Sequence, residues 1–356
     1  MNLSDCFSDT YREARNSFLR ACEAKSIHLE SHEHPLLGID NEAMFADVAE
    51  IGRPGAEDVI VLVSGTHGIE GYCGSGIQIG CLQMGLFDKL PGNIKVLLIH
   101  GLNPYGFSYY RRVNEDNIDV NRNFIDFDAP LPINTAYADV QALVLPEGWD
   151  GESRAAAEQG IKDYIADKGA AAYQAALTGG QYQYPEGLFF GGAQPSWSRR
   201  LVEDVLSMQC KAAQRVAILD VHTGLGEYGE VELITFGDQL PRAQQCYGEA
   251  ATSPDAGSSS SAVLAGTFGG TMPELLPHAE VTYVALEYGT SPVLEVMEAL
   301  RAENWLRQRG ELDSELGERI KEQFIHAFYP NEPQWHEMVW ERAVKYINMA
   351  LLGMNR

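Results

Sequence analysis

Four runs rich in β-branched residues and leucine punctuate the chain: Val59–Val63, Ile94–Ile99, Val216–Leu219 and Val281–Leu286. Each is almost continuously apolar, without polar alternation, which suits a strand buried on both faces of a sheet. A shorter candidate strand, Ala46–Ile51, precedes them and ends at the turn Arg53-Pro54-Gly55. Helical patterns lie around these runs, at residues 5–25 and at Gly76–Leu86. The alternation predicts an α/β fold: a mixed, mainly parallel central sheet flanked by helices.

Residues at about 128–200 break the pattern. Glu152–Leu177 is rich in alanine and reads as a helix, and GGQYQYPEGLFFGG follows it. The absence of a buried-strand signal here predicts an insertion on a single domain spanning 1–356. Thr252–Ser261 reads as a flexible loop. A helical C-terminal tail is expected at about 293–356, where LEVMEALRAENWLRQRG and WHEMVWERAVKYINMALL are both amphipathic. No internal repeat is seen.

Composition narrows the classes. Apolar residues make up 45% of 356, enough for a sizeable core, and the 21% charged fraction argues against global disorder. Fifty acidic against 26 basic side chains give a formal charge of −24. That field repels phosphate backbones and anionic lipid, so neither nucleic acid nor membrane is expected as a partner. The start, MNLSDCFSDTYREARNSFLRAC, has no continuous apolar region, so no signal peptide is expected. The six cysteines are scattered without a CxxC pair. They read as reduced thiols of a cytoplasmic protein and not as a structural zinc site.

Chemistry gathers at the ends of the apolar runs. SGTHGIEG, residues 64–71, follows the first run and sets His67 and Glu70 three apart, so one helical turn aims both at one point. Imidazole with carboxylate is a common metal-ligand pair. NPYGFSYYRRVNEDNIDVNRNF, residues 103–124, follows the second, and its Asn121-Arg122 pair suits a carboxylate clamp because the guanidinium is a planar fork. His222 follows the third run, within ILDVHTGLGE, and Glu287 closes the fourth, within VTYVALEYGT. A carboxylate in such apolar surroundings is costly unless it is paired or working. Open α/β sheets place their active sites at this carboxyl edge.

In this order, the motifs resemble the zinc carboxypeptidase clan, which includes the metallocarboxypeptidases and the aspartoacylase/succinylglutamate desuccinylase deacylases. The resemblance spans residues 46–290 and rests most on DVNRNF. It implies a zinc carboxypeptidase-like fold and one Zn2+ per chain, held by His67, Glu70 and His222. It further implies that Asp119 orients His67, that Asn121 and Arg122 bind a substrate carboxylate, that Arg112 polarises the scissile carbonyl, and that Glu287 is the general base. The substrate would be a small peptide or an N-acyl amino acid.

The motifs divide between the two branches. Carboxypeptidases usually carry HxRE, whereas Ile69 occupies the Arg position here; HGIE and Glu287-Tyr288-Gly289 look more like the deacylases. NPYGF and DVNRNF look more like carboxypeptidases. A carboxypeptidase-like hydrolase is the leading expectation, a deacylase of N-acyl amino acids the alternative, and a non-catalytic binding protein of the same fold ranks lower. Tyr228, Tyr247 and Tyr288 are candidates for a substrate-binding tyrosine by position alone. The 128–200 segment is a candidate lid, with Gln181–Gly192 facing the site.

Overall fold

The computed structural model describes residues 3–354. Its strands are β1 (His28–Leu37), β2 (Ala43–Gly52), β3 (Asp58–Val63), β4 (Ile94–His100), β5 (Arg215–Tyr228), β6 (Val231–Ile234), β7 (Ala251–Thr252) and β8 (Glu280–Gly289). They form one sheet of order β1-β2-β4-β3-β5-β8-β6-β7. The centre, β4-β3-β5-β8, is parallel, while β2 on β4, β1 on β2 and β6 on β8 are antiparallel. The expected mixed, mainly parallel sheet is thus present.

Helices cover the sheet: α1 (Tyr11–Ala24), α2 (Gly71–Gln83), α3 (Pro104–Ser108), α4 (Thr135–Val144), α5 (Gly151–Lys168), α6 (Ala170–Thr178), α7 (Trp197–Gln209), α8 (Leu240–Tyr247), α9 (Phe268–Leu275), α10 (Val293–Arg309), α11 (Glu315–Phe328) and α12 (Pro333–Met354). Several begin where the sequence supplies a capping oxygen. Thr10, Asn103, Asn134, Ser196, Thr267 and Ser314 each accept a backbone N–H of the first turn.

Every residue of β3 is buried because the two faces of the strand enter two cores. Ile60 and Leu62 pack with residues of α1, α2 and α12. Val59, Val61 and Val63 pack with residues of α7 and α9. That is the physical origin of the unbroken apolar run, and each such side chain taken from water contributes about 1.5–3 kcal/mol.

Several expectations shift. The first helix starts only at Tyr11, behind its Thr10 cap, and a separate 3-10 turn occupies Leu3–Cys6. The polar edge strand β1 (HLESHEHPLL) carries no apolar signal and owes its form to pairing with β2. The Ala-rich stretch is two helices, because Gly169 at φ +93° separates α5 from α6. The third apolar run continues through polar residues to Tyr228, so His222 lies inside β5 and not beyond its end.

Candidate active site

β3 stops at Val63, opposite Ile99 of β4 and Asp220 of β5. The chain leaves through Gly65, which takes φ +74°, and enters α2 at Gly71. His67 and Glu70 stand on this short turn. The turn lies flat against the arginine loop: Gly68 and Ile69 donate their backbone N–H groups to the carbonyls of Arg112 and Arg111. A Cβ on Gly68 would overlap the backbone of Gly106, so only glycine allows the approach. β5 runs past the end of β3 and pairs His222 with Glu287 of β8. Three neighbouring parallel strands thereby deliver the four groups to one edge.

His67, Glu70 and His222 converge, with ligand atoms all within 4.8 Å of one another. His67 Nδ1 lies 2.9 Å from Glu70 Oε1, and His222 Nδ1 lies 3.0 Å from Glu70 Oε2. The two Nδ1 atoms are 3.1 Å apart. Each imidazole is held from behind by a carboxylate. His67 Nε2 is 3.1 Å from Asp119 Oδ1, and His222 Nε2 is 2.8 Å from Asp220 Oδ2. Each ring nitrogen therefore faces a carboxylate; a cation bound between the two Nδ1 atoms and Glu70 would leave the proton on each Nε2, donated to Asp119 or Asp220, and turn each Nδ1 lone pair inward. Two such nitrogens and one carboxylate, all buried, are a donor set that fits a three-ligand zinc site.

Asp220 was not anticipated from sequence. It is fixed in turn by Thr66 Oγ1 at 2.8 Å and Tyr283 Oη at 2.9 Å, both donating. Its signal was present: residues two apart on a strand share a face, so Asp220 stands beside His222.

The charges divide around this centre. Arg112 Nε donates to Asp119 Oδ2 and its Nη1 to Glu70 Oε1, both at 3.0 Å. Burial would raise the Asp119 pKa, but Arg112 and His67 hold it well below the ordinary carboxylate range. Arg122 is 3% exposed, and its guanidinium donates only to the carbonyls of Thr178 and Asn121. Burial depresses its pKa. No carboxylate of the described residues forms an ion pair with it. Asn121 accepts from the backbone N–H of Phe268 at 2.9 Å, which ties it to the first turn of α9. On the other side, Glu287 Oε1 accepts from Leu225 N at 2.9 Å. Burial, and then the nearby Glu70 charge, push the Glu287 pKa up.

A cavity of about 350 Å³ opens over these groups. His67, His222, Arg112, Asn121, Arg122 and Glu287 all line it. The 128–200 segment contributes Ile161, Ile165, Tyr173, Gln174, Thr178 and Phe189. Phe189 adopts φ +54°, and the guanidiniums of Arg112 and Arg122 lie 5.3 and 5.4 Å from its ring centre. Its contact with both arginines had no sequence signal. Tyr228, Tyr247 and Tyr288 do not line the cavity: Tyr228 Oη donates to Glu332, and the other two are buried elsewhere. Among the described tyrosines, the lining includes only Tyr173.

The fold has solved counterparts. The chain is similar to bovine thrombin-activatable fibrinolysis inhibitor, solved in complex with a tick carboxypeptidase inhibitor. The identity is 12%, the TM-score 0.54, and the match covers 99% of this chain and 98% of the other. This likeness shows the fold, which is zinc carboxypeptidase-like. Carboxypeptidase A from Helicoverpa armigera matches more weakly, at 12% identity and TM-score 0.44, over 94% of this chain and 73% of that one. An aspartoacylase family protein from Mesorhizobium loti matches at 12% identity and TM-score 0.35, over 81% and 68%. No curated protein matches the sequence. A family model described as "Protein of unknown function (DUF2817)" matches residues 7–342, and the chain belongs to that family.

Proposed function

We propose that the protein is a zinc-dependent hydrolase that cleaves an amide bond next to a free carboxylate, in the manner of a carboxypeptidase. The observation that carries this reading is the buried convergence of His67 Nδ1, Glu70 and His222 Nδ1, with Arg112 on one side and Glu287 on the other. Zinc held by these three residues supplies Lewis-acid polarisation of the scissile carbonyl and lowers the pKa of water to about 7.

The remaining work falls to the chain. Asp119 and Asp220 keep both imidazoles in the Nε2–H tautomer. Glu287, with its raised pKa, takes a proton from the attacking water and passes one to the leaving amine. Arg112 has donors beyond those spent on Asp119 and Glu70, and they meet the oxyanion as it forms. Arg122, which lacks a carboxylate of its own, binds that of the substrate beside Asn121.

The roofed cavity supports a second reading, a deacylase of N-acyl amino acids, because about 350 Å³ suits a small substrate. Both readings share the site and the clamp. The test is a set of matched substrates, free acid and primary amide, peptides and N-acyl amino acids alike, assayed with zinc-reconstituted wild type and Arg122→Lys. The free acids are expected to turn over, the amides to lose about 10²-fold or more, and Arg122→Lys to narrow that gap. Equal rates on acid and amide would exclude a carboxylate-directed enzyme.

A further inference from the structure

The cavity is lined by unlike groups, and contacts link each of them to the three convergent ligands. Arg122 lines it near Asp119, Asp119 holds His67, and His67 meets Glu70 and His222. His222 pairs with Glu287, and Glu287 accepts from Leu225 N. Phe328 packs on the same stretch: its ring faces Gly224, and its carbonyl accepts from Thr223 Oγ1. Arg122 is thus linked to the three convergent ligands through Asp119, and Leu225 and Phe328 are linked to them through Glu287 and Thr223.

Helix α10 lines the cavity with Val293, Leu294, Val296, Met297 and Leu300, beside the mutually paired Glu298 and Arg301. Leu294 is 79% exposed and Val293 49% exposed, so this apolar wall runs out to solvent at the mouth. Large apolar side chains left open beside a site, continuous with it, mark a surface that is covered when ligand is bound. The helix lies outside the stretch of chain that carries the resemblance to the zinc carboxypeptidases.

We infer that the substrate is an N-acyl amino acid with a bulky apolar acyl group: the amino-acid carboxylate meets Arg122, and the acyl chain lies along Leu225, Phe328 and α10. This rests on the hydrolase reading above and fixes which side of the scissile bond is apolar. Water breaks the C–N bond, and the products are an apolar carboxylic acid and a free amino acid. Each methylene added to the acyl chain gains contact with the wall, worth about threefold to fourfold in kcat/KM until the chain reaches the mouth.

The experiment uses the full chain with zinc and a homologous series on glycine: N-acetyl-, N-butyryl-, N-hexanoyl- and N-octanoylglycine. Glycine has no side chain, so only the acyl group varies. Turnover is measured with wild type and with Leu294→Gln/Met297→Gln. Binding of the acetyl and octanoyl members to Glu287→Gln is measured by calorimetry. The expected result is a steady rise in kcat/KM with chain length, an octanoyl-to-acetyl ratio that falls about tenfold or more in the double variant, and binding at least about 100-fold tighter for octanoylglycine. A flat series with equal binding overturns the inference and leaves the hydrolase reading standing. Chain-length-dependent binding without any turnover upholds the inference about the wall while removing the hydrolase reading beneath it.

Discussion

Floor and roof of the cavity differ in how their side chains are held. On the floor, the ends of β3, β5 and β8 present groups that each have a second partner: His67 has Asp119, His222 has Asp220, and Glu287 has the N–H of Leu225. The register of parallel strands buried on both faces sets their spacing. In the roof, α5 buries only Ala157 of its 18 residues, and α6 joins it across a single glycine. Reacting groups need positions fixed by elements that do not shift, whereas selectivity tolerates elements loosely attached to the core. Chemistry should therefore fail abruptly when the floor is altered, and substrate preference should drift when the roof is.

The largest effect is expected from Glu287→Gln. The amide keeps the size and the bond from Leu225 but cannot take a proton, so kcat should fall about 10²–10⁴-fold at unchanged zinc content and melting temperature. Steady-state kinetics with metal analysis on the same sample checks this. A fold that collapses instead would mark Glu287 as a structural carboxylate.

Arg112→Ala is next. In the proposed mechanism the oxyanion it meets appears only in the transition state, so kcat should fall about 10²–10³-fold with a smaller rise in KM. The roof counterpart is Phe189→Ala, which removes the ring beneath both guanidiniums. There KM should rise more than kcat falls. The reverse pattern in these two variants would erase the distinction between floor and roof.

Two glycines compare the regions in stability alone. Gly68→Ala forces a Cβ into the backbone of Gly106 and should cost about 3 kcal/mol or more. A Cβ on Gly169 has open space, but φ +93° and ψ 156° suit glycine almost exclusively, so Gly169→Ala should cost about 1–3 kcal/mol. Urea unfolding should show the first as a loss in the global transition. The second should appear as a change confined to α5 and α6, read by hydrogen exchange.

The smallest effect is on pH dependence, and it belongs to the sheet side. His336 stacks on Phe7, and neither ring nitrogen has a partner among the described residues. Burial lowers its pKa to about 4, only weakly opposed by Asp9. A histidine depressed on folding contributes its stability above the unfolded value of about 6.5 and loses it as pH falls towards the folded value. Between these limits the unfolded chain binds the extra proton, so this group makes stability fall as pH falls. His336→Phe should flatten the denaturation midpoint against pH between about 6.5 and 4 relative to wild type. An unchanged slope would show that His336 is not the responsible group.

Much of the floor was legible before the structure. The apolar runs announced β3, β4, β5 and β8 because both faces of those strands are buried, and polar residues at their ends stood out against that background. His67, Glu70, His222, Arg112, Asn121, Arg122 and Glu287 all line or border one cavity. Asp220 was missed because it sits inside the strand, where a polar residue reads as an end to the apolar run. β1 was missed because an edge strand with one solvated face needs no apolar residues. Phe189 was illegible for a different reason. Its place against Arg112 and Arg122 depends on a backbone at φ +54° in a segment without regular structure, and no periodicity encodes that.

The most direct measurement is the zinc stoichiometry of the purified, reconstituted chain after equilibrium dialysis, for wild type and His222→Ala side by side. One zinc per wild-type chain, with metal binding largely lost in a folded His222→Ala, is the expected result. A wild-type chain that retains no zinc, or a variant that retains it at wild-type affinity, would contradict a metal centre at His67, Glu70 and His222.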